Sequence, residues 1–354
     1  MRPESLQFLR NLIETPSPSG FEQPVQRVVR EYVAPYADEV KTDVHGNVIA
    51  VKNPGGYPRL MLAGHCDQIG MMIQHVTDDG YLYFAAIGGI DPAIMPGIPV
   101  VVHNERGSVR GVIGRKPIHL LSAAERDKPR LEISEMFIDI GAADKDEAKT
   151  VVDIGDSATF DLHFEDLMGG LVAGPGFDDK VGSFVIMEAL RLIGKKKLNC
   201  AVYAVSTVQE ELGLRGARTA AFSIDPQAGI AVDVTHGSDY PGCDCKKTGE
   251  CKLKAGPTIA RGPNINPVLQ KLLQKTAEDK KIPWQPEPEP RATGTDANSI
   301  QISRGGVATA LVSIPNRYMH TPVEVIALED LESAAKLLAE TLLKIKKNVD
   351  FTPM

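Results

Sequence analysis

The sequence predicts an α/β protein in which helices cover both faces of a mostly parallel sheet and a small β-barrel-like domain is inserted into the larger one. Apolar runs at residues 199–207, 229–234 and 307–314 alternate with helical patterns, which is typical of a parallel sheet buried on both faces. Residues 71–163 differ: short β-like runs are separated by Gly, Pro and charged turns, with a single short helical pattern near residues 144–150.

The chain length agrees with two domains. It has 354 residues, and domains commonly contain roughly 150. We therefore expect residues 1–70 and 164–354 to form the larger domain, which carries the chemistry. We expect residues 71–163 to form the inserted β domain, with a role in oligomerisation or substrate access.

The individual elements follow from apolar periodicity and from the residues that interrupt it. Apolar positions at helical spacing predict helices over residues 4–15, 22–33 and 329–347, and a further helix that begins at Asp178 and Asp179. An apolar strand over residues 60–63 leads into Gly64-His65-Cys66-Asp67. The proline-rich residues 283–290 are expected to form a long surface loop.

Composition narrows the function classes. Lys and Arg number 39 against 46 Asp and Glu, so the formal net charge is −7. A general nucleic-acid binder needs a basic surface, so nucleic acid is not expected as the main partner. No apolar stretch is long enough for a membrane span, and the N-terminus shows no signal-peptide pattern. With only five cysteines, we expect reduced thiols in the cytoplasm.

Three of the cysteines, Cys243, Cys245 and Cys251, lie close together in a segment rich in Lys and Gly. Their spacing lacks the paired C-x2-C of zinc ribbons. A surface loop is the simpler interpretation, and a structural metal or redox role is the alternative.

Two segments carry metal-type residues at element boundaries. His65 and Asp67 are two positions apart on extended chain, so their side chains face the same way, and a carboxylate can fix the ring of a ligating imidazole. A histidine that is merely hydrogen-bonded is the alternative. Asp178 and Asp179 precede an apolar helix, where a carboxylate could cap the helix or bind a metal. The two roles are compatible, because one carboxylate could cap the helix while the other binds the metal.

Two further segments follow predicted strands. Glu210 and Glu211 come directly after an apolar strand, and hydrolytic metal chemistry uses one carboxylate on the metal and one free as a base. A solvated pair in a loop is the alternative. Asp233 interrupts a core strand, and His320 follows another strand, where it could also be a hydrogen-bonded loop residue.

These residues share one expected location, because ligands of open α/β sheets bind beyond the carboxyl ends of the strands. Together they supply two histidines and at least four carboxylates without a cysteine, a set that suits Zn, Co or Mn. One carboxylate can also bridge two ions about 3.5–4 Å apart.

Six segments match motifs of one known family, in the family's order, with similar gaps and over nearly the whole chain. They are Ala63-Gly64-His65-Cys66-Asp67-Gln68-Ile69-Gly70, Phe177-Asp178-Asp179-Lys180-Val181-Gly182, Gln209-Glu210-Glu211, Val232-Asp233-Val234, Gly294-Thr295-Asp296-Ala297 and Arg317-Tyr318-Met319-His320-Thr321-Pro322-Val323-Glu324. With these motifs the sequence resembles the M42 metallo-aminopeptidases, a TET-like family that includes glutamyl and deblocking aminopeptidases. Some members carry an endoglucanase or cellulase label.

The resemblance implies a zinc-peptidase-like catalytic domain with two divalent metal ions per subunit. Asp178 would bridge the ions, with His65 and Asp233 at one and Glu211 and His320 at the other.

Two further roles come from the same resemblance: Glu210 would be the general acid/base, and Asp67 would orient His65. The resemblance also implies a cis peptide bond between Asp178 and Asp179. Homo-oligomers built from dimers, often dodecamers, are implied as well. Gln68 departs from the commonest pattern, in which an acid is frequent.

The resulting hypothesis is a metal-dependent aminopeptidase acting on peptides. A water that bridges the two ions would attack the peptide carbonyl, and Glu210 would take its proton and pass it to the leaving amine. Two other hypotheses also make the protein an enzyme. One is a metal-dependent deacylase or amidase that acts on small N-acyl compounds, and the other is a glycosidase, as the endoglucanase label would suggest. A non-catalytic binding protein is the last alternative. The preferred N-terminal residue and the native metal do not follow from the sequence.

Overall fold

The structure of the chain, a computed structural model, describes residues 1–126 and 130–353. The α-helices that it assigns in this part of the chain, numbered in chain order, are α1 (Pro3–Glu14), α2 (Gln23–Val33), α3 (Ala123–Arg126), α4 (Lys145–Val151), α5 (Phe177–Ile193), α6 (Arg215–Ile224), α7 (Cys245–Thr248), α8 (Pro267–Lys280), α9 (Asp296–Gln301) and α10 (Leu328–Lys344).

The strands are numbered in the same way. They are β1 (Glu39–Thr42), β2 (Val48–Lys52), β3 (Arg59–His65), β4 (Gly70–Val76), β5 (Leu82–Ile87), β6 (Pro99–Asn104), β7 (Gly107–Arg115), β8 (Met136–Asp139), β9 (Ser157–Phe160), β10 (Glu165–Asp166), β11 (Leu171–Gly174), β12 (Ala201–Thr207), β13 (Ala228–His236), β14 (Thr258–Arg261), β15 (Gln285–Pro288), β16 (Ala308–Asn316) and β17 (Glu324–Ala327).

An eight-stranded sheet forms the centre of the molecule, in the order β1-β2-β12-β3-β13-β16-β14-β15. Its four middle strands, β12, β3, β13 and β16, pair in parallel. The core on one face contains side chains of α1, α2, α5, α8 and α10, and the core on the other face contains side chains of α6 and α9. The predicted class, a mostly parallel sheet between helices, is confirmed.

The topology brings the candidate residues to one edge. β3 lies between β12 and β13 and is parallel to both. His65 ends β3, Glu210 follows β12 after a short turn, and Asp233 lies in the last part of β13. Because the carboxyl ends of parallel strands meet at the same edge, these side chains converge there.

A second unit is a closed barrel of six antiparallel strands in the order β4-β5-β8-β7-β6-β9. These strands fall between Gly70 and Phe160, so a barrel is inserted into the chain between strands β3 and β12 of the large sheet, as the sequence predicts. Its interior is filled by apolar side chains such as Phe84, Val100 and Ile138. A smaller sheet, β10-β11-β17, is antiparallel.

The expectation of a long surface loop over residues 283–290 is wrong. Gln285–Pro288 form the edge strand β15, which pairs in parallel with β14. The backbone N–H groups of Gln285 and Glu289 donate to carbonyls beside β14, and the alternating prolines turn their nitrogens to the open side. Proline is tolerated at a sheet edge for this reason.

The last helix ends at Lys344, three residues before the expected end, and α6 and α8 were not predicted. Among the described residues, no helix combines the length and apolar character needed to cross a membrane.

Candidate metal centre

The five predicted ligands lie together at the carboxyl edge of the sheet. His65, Asp178 and Asp233 form one group whose ligand atoms are within 4.8 Å of one another, and Asp178, Glu211 and His320 form a second. Asp178 belongs to both. Its Oδ1 is 3.1 Å from Nε2 of His65, and its Oδ2 is 3.3 Å from Nε2 of His320. One carboxylate therefore lies between two groups of potential ligands.

Asp178 and Asp179 have different partners at the start of α5. The peptide bond between them is cis, as the resemblance implied. Asp179 accepts hydrogen bonds from the backbone N–H of Gly182 at 2.9 Å and of His65 at 3.1 Å. The Asp179 carboxylate thus satisfies a free helix donor and fixes the end of β3, whereas the Asp178 carboxylate faces the histidines.

Glu324 holds the two sides of the centre together, a role that the sequence did not show. Its Oε2 accepts the backbone N–H of Asp178 at 2.9 Å, and its Oε1 accepts that of His320 at 3.3 Å. Glu324 is 2% exposed. An acidic residue at the start of the otherwise apolar β17 was the sequence feature that could have indicated this role. Asp296, at the start of α9, was another missed acid; it accepts a hydrogen bond from Thr207 at 2.6 Å.

Asp67 positions the neighbouring acids as well as facing His65. Its carboxylate accepts the backbone N–H groups of Glu210 at 3.0 Å and Glu211 at 3.2 Å, and the hydroxyl of Ser19 at 2.7 Å. Nδ1 of His65 is 3.5 Å from Oδ1 of Asp67 and 3.0 Å from its carbonyl oxygen. Asp67 therefore fixes both the imidazole and the turn that follows β12.

The acids of the centre are crowded and poorly solvated. Burial raises the pKa of Glu210 to about 10 and that of Glu211 to about 7, and it raises the pKa of Asp233 well above its usual value. For Asp178, burial acts in the same direction, but hydrogen bonds from His320 and His65 outweigh it and lower the pKa.

Two of these acids also have unpaired atoms. Oε1 of Glu210 and Oε1 of Glu211 are buried, and neither has a hydrogen-bond partner among the residues that the structure describes. Buried carboxylates need a positive partner, and imidazole with carboxylate is a donor set that Zn, Co and Mn accept. The residues therefore fit a divalent cation.

A cavity of about 590 Å³ opens onto this cluster. Its lining includes the candidate ligands together with Glu287, Glu289 and Met319, and none of the described residues that line it is a Lys or Arg. A cavity of about 730 Å³ lies at the opposite, amino-terminal ends of the strands. None of the ligand groups found among the described residues lines that second cavity.

The structure shows the surroundings of Gln68 and of the three clustered cysteines, whose roles the sequence left open. Oε1 of Gln68 accepts a hydrogen bond from Nζ of Lys180, whose pKa is lowered by burial to about 7. Cys243, Cys245 and Cys251 are free thiols around the short α7, and they contribute to neither ligand group in the described part of the chain.

Comparison with known proteins gives one consistent result. The sequence profile of the M42 glutamyl aminopeptidase family matches residues 46–337. A lysyl aminopeptidase of Pyrococcus furiosus is 40% identical over 349 residues, which cover 98% of this chain and 99% of the relative. A TET aminopeptidase from a marine sediment archaeon of the Thaumarchaeota superposes with a TM-score of 0.92 at 35% identity, covering 97% of this chain and 96% of that one.

Two other solved structures bear on assembly and on naming. The TET1 peptidase of Pyrococcus horikoshii, described as assembling into a tetrahedron or a large octahedral shell, is 33% identical with a TM-score of 0.85 over 96% of this chain and 100% of that one. A Thermotoga maritima protein named endoglucanase is 29% identical with a TM-score of 0.77, covering 94% of this chain and 96% of that one.

The family match covers most of the chain, and the relative from Pyrococcus furiosus, which is named an aminopeptidase, matches over nearly its full length. Aminopeptidases are hydrolases that act as exopeptidases. The shared fold and the ordered motifs agree with that activity, and the chain belongs to the M42 family of aminopeptidases.

Proposed function

We propose that this chain is a metal-dependent aminopeptidase that removes N-terminal residues from peptides at a centre for two divalent ions. His65 and Asp233 would hold one ion, Glu211 and His320 the other, and Asp178 both. The observation that carries the proposal is the pair of ligand groups that share Asp178, with all ligand atoms of each group within 4.8 Å of one another. Zn, Co and Mn all suit this donor set.

Divalent ions at such a site supply Lewis-acid chemistry, since they polarise a peptide carbonyl and make water acidic enough to ionise near neutral pH. The protein's own contribution is proton transfer and positioning. Glu210 belongs to neither ligand group, and its Oε1 accepts no hydrogen bond from the described part of the chain. We therefore assign Glu210 the transfer of a proton from water to the leaving amine, with Asp67 holding its backbone in place.

The substrate enters the cavity with its free α-amine, next to a lining rich in carboxylates. The names of the relatives differ in the residue removed: the family description says glutamyl, and the Pyrococcus furiosus relative is named lysyl. The residue that this chain removes must therefore depend on the side chains of its own pocket.

We also propose that copies of this chain assemble from dimers into a homo-oligomer of up to twelve subunits, in the cytoplasm. The large assemblies described for the TET1 peptidase support the first part, and the five free cysteines support the second. The proposed division assigns residues 1–70 and 164–354 to the catalytic domain and residues 71–163 to the inserted domain, and the closed barrel supports this proposal.

Metal analysis combined with a substrate panel tests the proposal. The purified protein is stripped with EDTA, reloaded separately with Zn, Co and Mn, and assayed with aminoacyl nitroanilides, N-acyl amino acids and a soluble cellulose derivative. We expect about two ions per chain and hydrolysis of aminoacyl substrates only when metal is present. Hydrolysis of N-acyl compounds alone would favour a deacylase, and cellulose cleavage that survives EDTA would favour a glycosidase.

A further inference from the structure

The cavity at the candidate metal centre continues past the ligands to two more carboxylates. Glu287 and Glu289, in and after the edge strand β15, line the same cavity as His65 and Asp233. Neither belongs to a ligand group. The cavity is thus acidic in a part that binding of the two ions does not explain.

Hydrogen bonds locate Glu287 relative to the centre. Its Oε2 accepts the hydroxyl of Thr258 at 2.6 Å and the hydroxyl of Ser313 at 2.9 Å. Ser313 is the register partner of Asp233 in the adjacent parallel strand, and adjacent strands lie about 4.8 Å apart. The Glu287 carboxylate therefore lies one to two strand spacings from a candidate metal ligand, within reach of a long substrate side chain.

The two carboxylates are poorly compensated by the protein. Glu287 is only 9% exposed, and Oε1 accepts no hydrogen bond from the residues that the structure describes. Glu289 is half-buried, and its carboxylate makes no hydrogen bond or ion pair within residues 1–126 and 130–353. Burial and the charge of Glu287 raise the pKa of Glu289.

Among the described residues, the cavity lining supplies no Lys or Arg to balance them; its basic side chains are His65 and His320, which are candidate ligands, and His236. Two divalent ions would be balanced by the three ligand carboxylates and Glu210, so they leave no charge over for Glu287 and Glu289. A buried anion without a cation is unfavourable, and the missing cation must therefore come from what enters the cavity.

We propose that Glu289, supported by Glu287, selects substrates whose N-terminal residue carries a long cationic side chain, that is, Lys or Arg. Glu289 is the half-exposed carboxylate that meets the ammonium or guanidinium group. Glu287 lies behind it, fixed by two hydroxyls, and adds negative charge. This inference rests on the aminopeptidase activity proposed above, and it adds the class of residue removed.

The test compares lysyl and norleucyl nitroanilides, because norleucine has a similar unbranched side chain without the ammonium group. In the metal-loaded wild type we expect kcat/KM for the lysyl substrate to exceed that for the norleucyl substrate by roughly 10- to 100-fold. Glu289→Gln should remove most of that ratio and leave norleucyl turnover within about threefold of wild type. Glu287→Gln should lower the ratio less, because the Glu289 charge remains.

Two further variants act as controls. Glu278→Gln removes one negative charge from the exposed surface of α8, outside the cavity, and should leave the ratio unchanged. Glu289→Arg, checked for folding by circular dichroism, should reverse the preference and favour a glutamyl substrate over a lysyl one.

The outcomes separate the two proposals. Equal loss on lysyl and norleucyl substrates in Glu289→Gln would overturn the inference, since the carboxylate would then serve the α-amine or the fold. A wild type that hydrolyses aminoacyl substrates without preferring lysyl over norleucyl would overturn it too, while leaving the aminopeptidase proposal intact. A wild type inactive on every aminoacyl substrate after metal loading would overturn both.

Discussion

The barrel and the carboxyl edge of the large sheet bury different kinds of side chain. Inside the barrel the buried residues are apolar, such as Ile73, Phe84 and Ile138, with Ser157 and Thr159 as the buried polar ones in its strands. At the sheet edge, acids such as Asp179, Glu210 and Asp233 are buried side by side. The barrel is therefore stabilised by packing, whereas the edge places charges where they oppose folding until a cation binds.

This difference indicates that stability and chemistry are assigned to separate regions. Substitutions at the edge should affect catalysis and metal binding, and substitutions inside the barrel should affect the free energy of unfolding. Substitutions in each region, and one at a buried acid outside both, test this separation.

The largest effect is expected for Glu210→Gln. The amide keeps the size of the side chain but cannot take a proton, so kcat should fall by about 10²- to 10⁴-fold. Because Glu210 is not a proposed ligand, metal content measured by mass spectrometry should stay at the wild-type value. Glu211→Gln is the matched control, because it should lose metal. Loss of metal in Glu210→Gln would mean that the two roles are assigned the wrong way round.

The next effect concerns the barrel. Ile138 is fully buried in β8, and Ile138→Ala should lower the free energy of unfolding by about 2–5 kcal/mol, as measured by urea denaturation. Activity per folded molecule should not change. Ile154→Ala is the control, because Ile154 is 59% exposed and should shift stability by less than about 0.5 kcal/mol. A large loss of kcat in folded Ile138→Ala would contradict the separation of the two regions.

A smaller effect is expected for Asp67→Asn. The amide can accept fewer of the hydrogen bonds that hold His65, Glu210 and Glu211 in place, so metal affinity or kcat should fall about 10- to 100-fold. Metal titration followed by assay at saturating metal separates the two quantities. Asp79→Asn, an exposed position in the inserted segment, should behave like wild type. Unchanged affinity and kcat in Asp67→Asn would remove the positioning role.

The smallest effect concerns a buried acid far from the edge. Burial alone would raise the pKa of Glu188, but hydrogen bonds from Arg191, Tyr32 and Ser5 outweigh it and lower the pKa. An acid with a lowered pKa adds stability above its ordinary value of 4.5, and that stability is lost as the pH falls through the folded-state pKa.

Glu188→Gln should therefore cost about 1–2 kcal/mol near pH 7. The difference from wild type should shrink as the pH is lowered below about 4.5, as followed by urea unfolding at each pH. A difference that grows toward acid pH would show that the Glu188 network does not stabilise the charged form.

The sequence was sufficient to predict the sheet, the barrel and the convergence of the candidate ligands. The spacing of apolar residues identifies strands and helices within short segments, and the carboxyl ends of parallel strands always meet at one edge of a sheet. It was not sufficient for Glu324 or Ser19, because these side chains act through hydrogen bonds to segments that are distant in the sequence. It also failed at residues 285–288, because a strand whose prolines face outward has the composition of a loop.

That proline-bearing edge also limits how the molecule can aggregate. On its open side β15 offers carbonyl oxygens, but Pro286 and Pro288 have no N–H to donate. The edge strand of another molecule therefore cannot form the usual backbone hydrogen bonds with β15. This disfavours edge-to-edge aggregation at one end of the largest sheet. Contacts between copies of the chain are therefore not expected to use backbone pairing along β15.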